Sequence, residues 1–165
     1  MDYLWTPWRY QYITGSTPCG CVFCAAAQNP DDRASFIVHR ARLNFVILNR
    51  FPYTNGHVMI VPFAHVASLQ EAAEETLIEM TLLARQTETH LRAIYRPDGM
   101  NVGMNLGQSA GAGIAGHIHL HMLPRWTGDT NFMTVTGETR VLPEDLPVTW
   151  ERLRTAFERH PSNRG

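Results

Sequence analysis

One run of residues constrains this chain more than any other: Gly116-His117-Ile118-His119-Leu120-His121-Met122-Leu123-Pro124. Histidine recurs at strict spacing two. In an extended backbone alternate side chains point to opposite faces. His117, His119 and His121 therefore share one face, and Ile118, Leu120 and Met122 the other. The pattern predicts a strand anchored in a core by its apolar side, with imidazoles about 7 Å apart along the strand lining a site. Imidazole serves as nucleophile, proton carrier or metal ligand near neutral pH. The plainer reading is a half-buried strand with an accidental polar face, and the strictness of the repeat argues against it.

With 165 residues, 44% hydrophobic and 18% charged, the chain fits one domain with a substantial core. No apolar stretch has the length of a membrane span, and the N-terminus lacks a signal-peptide layout, so a cytoplasmic protein is expected. A formal charge of −1 gives no basic field for nucleic acid. All 14 basic residues are arginine. That excludes Schiff-base and lysine-base chemistry and a phosphate-loop lysine. Nucleotide chemistry would have to be run by His, Arg, backbone amides and neutral amides.

Cys19, Cys21 and Cys24 fall within six positions. An odd, tight set without an export signal suggests metal binding rather than disulfides. Cys21-Val22-Phe23-Cys24 has the spacing with which two thiolates grip one zinc ion, and a closed site needs two more ligands. His65 and His117 are the candidates, and Cys19 competes. A Cys-x-x-Cys also fits a redox pair, but no thioredoxin-like βαβ pattern surrounds this one.

Along the chain, residues 1–18 carry Tyr3, Trp5, Trp8, Tyr10 and Tyr12 and read as an arm packed onto the body. Ser35–His39 and Leu43–Asn49 read as strands joined by a turn at 40–42. Phe51 to Gly56 is a loop in which Asn55-Gly56 favours positive φ, and His57–Pro62 is a third strand. Ser68 and Glu71 form a capping box. Leu69, Ala72, Ala73, Leu77, Met80, Leu83, Ala84, Leu91 and Ile94 then predict a helix over about 69–95, ended by Arg96-Pro97-Asp98-Gly99. On it, His90 reads as a surface or interface residue. Asn101–Leu106 is a fourth strand, 125–137 a second polar loop, and 143–160 holds a closing helix with Trp150, Leu153 and Phe157 on one face. The fold class is α+β: mainly antiparallel strands, one long helix and a C-terminal helix. Residues 1–165 make a single domain, with an arm and zinc knuckle (1–34), a catalytic core (35–137) and a C-terminal segment (138–165).

Between Asn105 and Gly116 lies a loop of small residues, including Ser109, Gly111, Ala112 and Gly113. Successive N–H groups in such a loop can hold an anion without lysine. A phosphate held there would lie beside an imidazole. The chemistry that follows is attack by a neutral imidazole on phosphorus, giving a phosphoramidate later cleaved by water or phosphate. Donors around the phosphate oxygens would make a catalytic metal unnecessary.

His117 to Arg125 resembles the signature of the histidine triad (HIT) superfamily of nucleotide hydrolases and transferases. The likeness extends over Leu4-Trp5-Thr6-Pro7-Trp8, Cys21 to Cys24, Asn49, Gly56-His57-Val58 and Asn101 to Gly107. Pro124 to Phe132 resembles the bacterial branch akin to diadenosine tetraphosphate phosphorylases. The resemblance implies that His119 is the nucleophile taking the nucleoside monophosphate. His121 would contact the phosphate and aid the leaving group, and His57 would support both. Asn49 would hold the ribose hydroxyls, and Asn105 with the backbone of Gly111, Ala112 and Gly113 the phosphates. It further implies a structural zinc ion on Cys21, Cys24, His65 and His117, a homodimer with a shared sheet, and Trp126 near the partner or the nucleotide. Phosphorylase-type members carry a serine near Gly113, so its absence here leaves hydrolysis beside phosphorolysis. The expected substrate is a diadenosine polyphosphate or a similar adenosine 5′-phosphate derivative.

Two other readings stay open at this level. One is a non-catalytic, zinc-stapled nucleotide-binding or interaction module, which would have no need of His119. The other treats His119 and His121 as ligands of a catalytic zinc ion, for which no carboxylate stands nearby in sequence.

Overall fold

A computed structural model of the chain describes residues 20–129 and 144–159. The aromatic arm, Cys19 and the part of the second polar loop beyond Asp129 lie outside the described residues. The elements run α1 (Val22–Gln28), α2 (Asp32–Ser35), β1 (Ile37–Arg40), β2 (Asn44–Leu48), β3 (Val58–Pro62), α3 (Glu74–Tyr95), β4 (Gly99–Gly103), a 3₁₀ turn (Gln108–Ala110), β5 (Leu120–Arg125) and α4 (Leu146–Arg159). The strands form one sheet in the order β1-β2-β3-β5-β4, every pair antiparallel. The α+β architecture expected from the residue pattern is the one observed.

Alternation splits this sheet into two chemically different faces. Val46, Leu48, Val58, Ile60 and Met122 meet Met80, Leu83 and Leu91 of α3 and Trp150, Leu153 and Phe157 of α4. Phe45, Ile47, Met59 and Val61 point the other way and pack with Ile37 and Phe23 of α1. β2 and β3 are thus buried on both sides, which explains their unbroken apolar runs. Each fully buried Val or Ile there contributes roughly 2 kcal/mol, so the strands carrying the site are its firmest support. The register Met59↔His121 puts the third histidine on the α1 side, away from the two long helices.

Side-chain hydrogen bonds tie the layers together. The Glu79 carboxylate on α3 accepts from the backbone N–H groups of Leu43 (2.8 Å) and Asn44 (2.9 Å) at the β1–β2 turn. Trp150 Nε1 donates to the Ile37 carbonyl at 2.9 Å and fastens α4 to β1. Arg40 reaches back to the end of α1, donating to the Ala27 and Asn29 carbonyls. Gly56 has φ +73°, as the Asn-Gly pair led one to expect. A Cβ there would stand 2.9 Å from Tyr95, 3.1 Å from Leu91 and 3.2 Å from Pro124. Glycine is thus demanded twice, by conformation and by space, immediately before His57.

Several boundaries differ from the sequence expectation. The Ser68–Glu71 box does form: Glu71 N–H donates to Ser68 Oγ at 3.3 Å and the hydroxyl donates to Glu71 Oε1 at 3.0 Å. It closes a separate turn, however, and the other carboxylate oxygen accepts from Ala67 N–H. The helix itself begins at Glu74, after an extended Ala73, and Leu69 is left exposed. A box satisfies the free N–H groups of any single turn, so it marks a helix start only when the chain continues helically. His90 is buried, not superficial: its ring packs edge-on to Phe157, centroids 4.5 Å apart, because α4 returns over it. β1 starts at Ile37 because residues 32–35 coil into α2 and Phe36 takes a left-handed φ of 59°. β4 covers 99–103 rather than 101–106, ending where Gly103 pairs with His121.

Candidate active site and metal centre

Only His121 of the three histidines lies within the paired part of β5; the ladder starts at Leu120. His117 and His119 occupy its extended approach. There the backbone is otherwise engaged: Ile118 N–H donates to the Val66 carbonyl at 2.8 Å, and His119 Nδ1 lies 2.8 Å from the His117 carbonyl. The His119 and His121 rings come within 4.8 Å, centroid to centroid, closer than the 7 Å of an ideal strand. The histidines therefore do not form one evenly spaced row. They divide into two sites.

His117 belongs to the first. Its Nε2 is 2.9 Å from the Pro62 carbonyl, which can only accept, so Nε2 carries the proton and the Nδ1 lone pair points elsewhere. It points at sulfur: Cys21 Sγ stands 3.2 Å away and Cys24 Sγ 3.7 Å away. His65 Nδ1 is 3.3 Å from Cys24 Sγ. One ligand atom from each of Cys21, Cys24, His65 and His117 lies within 4.8 Å of every other. Zn–S bonds of about 2.3 Å and Zn–N bonds of about 2.0 Å make a tetrahedron with edges of roughly 3.3–3.8 Å. The donors fit it. Burial raises the Cys24 thiol, and the adjacent Cys21 raises it further, a strain that a divalent cation between two thiolates would relieve. These four residues could hold a metal ion, and they are the four singled out from sequence. Among the described residues no such ligand group includes His119 or His121, so the reading of those two as ligands of a catalytic zinc ion finds no partner set.

The second site contains His119, His121 and His57. The His119 proton sits on Nδ1, since the His117 carbonyl accepts from it, and Nε2 keeps a lone pair. Burial pushes the His119 pKa down, against a smaller upward pull from that carbonyl, and so favours the neutral, nucleophilic ring. His121 is pushed down to about 4, mainly by burial and then by repulsion from His119. His57, almost wholly buried, brings Nε2 to within 2.9 Å of His121 Nδ1. Phe23, the third residue of the Cys-x-x-Cys, lies between the two sites, its ring 5.5 Å from His117 and 5.0 Å from His119.

Around these rings, the other expected residues are distributed unevenly. Asn49 follows β2 beside His57; its Oδ1 accepts from Phe51 N–H at 2.9 Å and its Nδ2 is 3.5 Å from His57 Nε2. Asn105 Nδ2 reaches the Gly111 carbonyl at 3.5 Å. In the small-residue loop, Gly111 N–H donates to Gln108 and Ala112 N–H to Gly107, so these two amides are already used within the loop, while Gly113 stands next in it. Trp126 opens the turn after β5, and Asp129 fixes it by bonding Trp126 N–H (3.1 Å) and Arg125 (2.6 and 2.8 Å). A cleft of about 600 Å³ lies elsewhere, between α2 and α4. There Arg33 already pairs with Glu151 and Arg154 with Asp32, so neither arginine is left unopposed.

Sequence reasoning passed over Phe23 and Tyr53. Phe23 carried a signal, a large apolar residue between two metal ligands. Tyr53 carried almost none, because only the folded loop brings it against His57.

An antiparallel five-stranded sheet with paired imidazoles on one side and a two-cysteine, two-histidine cluster beside them defines a class. The chain matches the HIT domain over residues 31–128 and belongs to that family. Among curated proteins it is 35% identical to an AP-4-A phosphorylase of Mycobacterium tuberculosis, over 96% of this chain and 85% of the relative. Among solved structures it resembles a Zn-bound histidine triad family protein from Mycobacterium smegmatis, with TM-score 0.68, 28% identity, and coverage of 87% of this chain and 96% of the other. A hypothetical histidine triad nucleotide-binding protein from Sulfolobus tokodaii also aligns with TM-score 0.68 at 25% identity, covering 85% of this chain and 93% of that one. No described helix is long and apolar enough to cross a membrane.

Proposed function

We propose that this protein cleaves a phosphoanhydride of an adenosine 5′-phosphate derivative, with diadenosine polyphosphates as the first substrates to test. One observation carries the reading. A buried, neutral His119 keeps its Nε2 lone pair available beside His121, whose Nδ1 is engaged by His57. A lone pair and a donor N–H side by side are what in-line displacement at phosphorus needs. His119 Nε2 attacks the α-phosphorus and the P–O bond to the leaving phosphate breaks. His121 supplies the hydrogen bond that stabilises the departing oxygen, supported by His57. Water or phosphate then cleaves the P–N bond and regenerates the free imidazole. Similarity to an AP-4-A phosphorylase over nearly the whole chain supports this substrate class.

Asn49 takes the ribose hydroxyls in this reading, since a neutral amide both donates and accepts. Asn105 and the backbone of Gly111, Ala112 and Gly113 take the phosphates, the last of these amides being the one outside the loop's own bonds described above. Trp126 faces the nucleotide or a second protomer. Zinc on Cys21, Cys24, His65 and His117 is structural, tying the N-terminal segment to the approach of β5. A homodimer formed along β4 is part of the proposal: that strand is one of the two edges of the sheet and presents Val102, 53% exposed. Sedimentation analysis tests this dimer directly.

Product analysis tests the activity. Diadenosine tetraphosphate is incubated with the enzyme, with and without inorganic phosphate. ADP formed only with phosphate identifies phosphorolysis; AMP and ATP formed without it identify hydrolysis. No product under either condition, from protein that binds the nucleotide, would leave the binding-module reading in its place.

A further inference from the structure

The three imidazoles of the second site must agree on where their protons are, and one residue outside the triad settles this. Tyr53 N–H donates to His57 Nδ1 at 3.2 Å. A nitrogen that accepts cannot also carry a proton, so neutral His57 is protonated on Nε2. That proton points at His121 Nδ1, 2.9 Å away, which must then be the acceptor and leave the His121 proton on its own Nε2. The Asn49 amide, 3.5 Å from His57 Nε2, competes for the same nitrogen as a donor. Were it to win, the His57 proton would move to Nδ1 and face the Tyr53 N–H directly, two donors opposed. The Tyr53 amide therefore decides the direction of the whole chain. Its ring adds to this by stacking on His57 at 5.0 Å with 30° between planes. That contact helps keep His57 only 1% exposed, where water cannot offer either tautomer an alternative partner.

We propose that Tyr53 is a positioning residue: its backbone N–H sets the tautomer of His57 and so compels His121 to present an N–H, not a lone pair, beside the lone pair of His119. The inference goes beyond the activity proposed above and rests on it only for the kinetic part of its test. It explains why a loop residue four positions before His57 should matter to chemistry it does not touch.

Imidazole ¹⁵N NMR of the histidine-labelled protein reads the tautomers without any substrate. In the wild type, Nδ1 of both His57 and His121 is expected to be unprotonated and Nε2 protonated. Replacing Tyr53 by its α-hydroxy analogue turns the N–H into an ester oxygen and leaves the side chain in place. His57 is then expected to populate both tautomers, and kcat to fall roughly 10- to 100-fold with KM within about twofold, the range for losing an orienting partner. Tyr53→Ala, which keeps the amide and removes the ring, is expected to lower kcat about fivefold and broaden the His57 signals. Tyr53→Phe is expected to rescue both readouts. Wild-type His57 protonated on Nδ1, or an ester variant with unchanged tautomers, would overturn the proposal, whatever happens to kcat. Tautomers that shift as expected in a protein that turns over no nucleotide would instead sink the activity and leave the role of Tyr53 intact.

Discussion

His117 and His119 are two residues apart and chemically opposite. Each gives one nitrogen to a backbone carbonyl, His117 through Nε2 to Pro62 and His119 through Nδ1 to His117 itself. The choice of tethered nitrogen decides which lone pair is free. His117 offers Nδ1 to two sulfurs within 3.7 Å. His119 keeps its Nε2 lone pair, and its ring centroid lies 4.8 Å from that of His121. Burial first of all pushes both rings toward the neutral form, each against an upward pull from the carbonyl it meets, and His117 is lowered further by His65 and His119. The comparison teaches that a histidine's role is written by the hydrogen bond on its far nitrogen, which fixes where the near one points.

The sharpest way to break this comparison is to remove the proposed nucleophile. His119→Asn keeps a polar side chain of similar reach but no nucleophilic imidazole. Single-turnover assays on diadenosine tetraphosphate are expected to show at least a 10⁴-fold loss of rate, on the order found when nucleophiles are removed elsewhere, with nucleotide binding preserved. Retention of more than a hundredth of the wild-type rate would mean that another group attacks.

Disrupting the candidate metal site is expected to act on folding before chemistry. Cys24→Ser should abolish stoichiometric zinc, measured by elemental analysis. It should lower Tm by about 10 °C, since several kcal/mol of binding energy is folding energy in such sites. Chelation of the wild type should follow the same course, with activity declining in step with unfolding. Instant inactivation of a still-folded protein would argue for metal at the chemical step.

Acid probes the neighbouring rings of His119 and His121 from another direction. His121 titrates at about 4 in the folded protein, below the ordinary histidine value of 6.5. The folded state thus binds its proton less readily than the unfolded chain. The stability this provides is complete above pH 6.5 and is lost as pH falls from 6.5 toward 4, roughly 3 kcal/mol in all. Denaturant melts across that window check it; His121→Gln should flatten the slope, and an unchanged slope would contradict the assignment.

The smallest expected effect is also the most local. Gly56→Ala forces a Cβ into a left-handed position and against Tyr95, at a cost of about 2 kcal/mol. Thermal unfolding should register this as a fall of some 4–8 °C. Because Gly56 precedes His57, kcat is expected to fall as well while zinc content stays the same, which separates the two sites once more.

Much of this was readable in the chain. Cys21, Cys24, His65 and His117 could be grouped because Cys-x-x-Cys spacing is local and its missing ligands had few candidates. Trp150, Leu153 and Phe157 shared a helical face as their spacing required. His90 misled because its neighbour Phe157 lies 67 residues further on and leaves no trace in local periodicity. Ser68 misled for the converse reason: its hydrogen bonds formed as expected, but backbone further along decided that the turn would stop.

The sequence by itself determined that an extended segment would set its histidines against an apolar set, that two cysteines and two histidines able to hold a metal would be grouped, and that helices would cover one face of an antiparallel sheet. Those outcomes follow from periodicity and side-chain chemistry, which neighbouring residues express. Tertiary structure alone decided which nitrogen of His117 and of His121 carries the proton, whereas His119 is set locally by the His117 carbonyl. Pro62 meets His117 and His57 meets His121 only after the sheet has closed. Proton placement is a property of pairs, and these pairs come together only when distant segments pack.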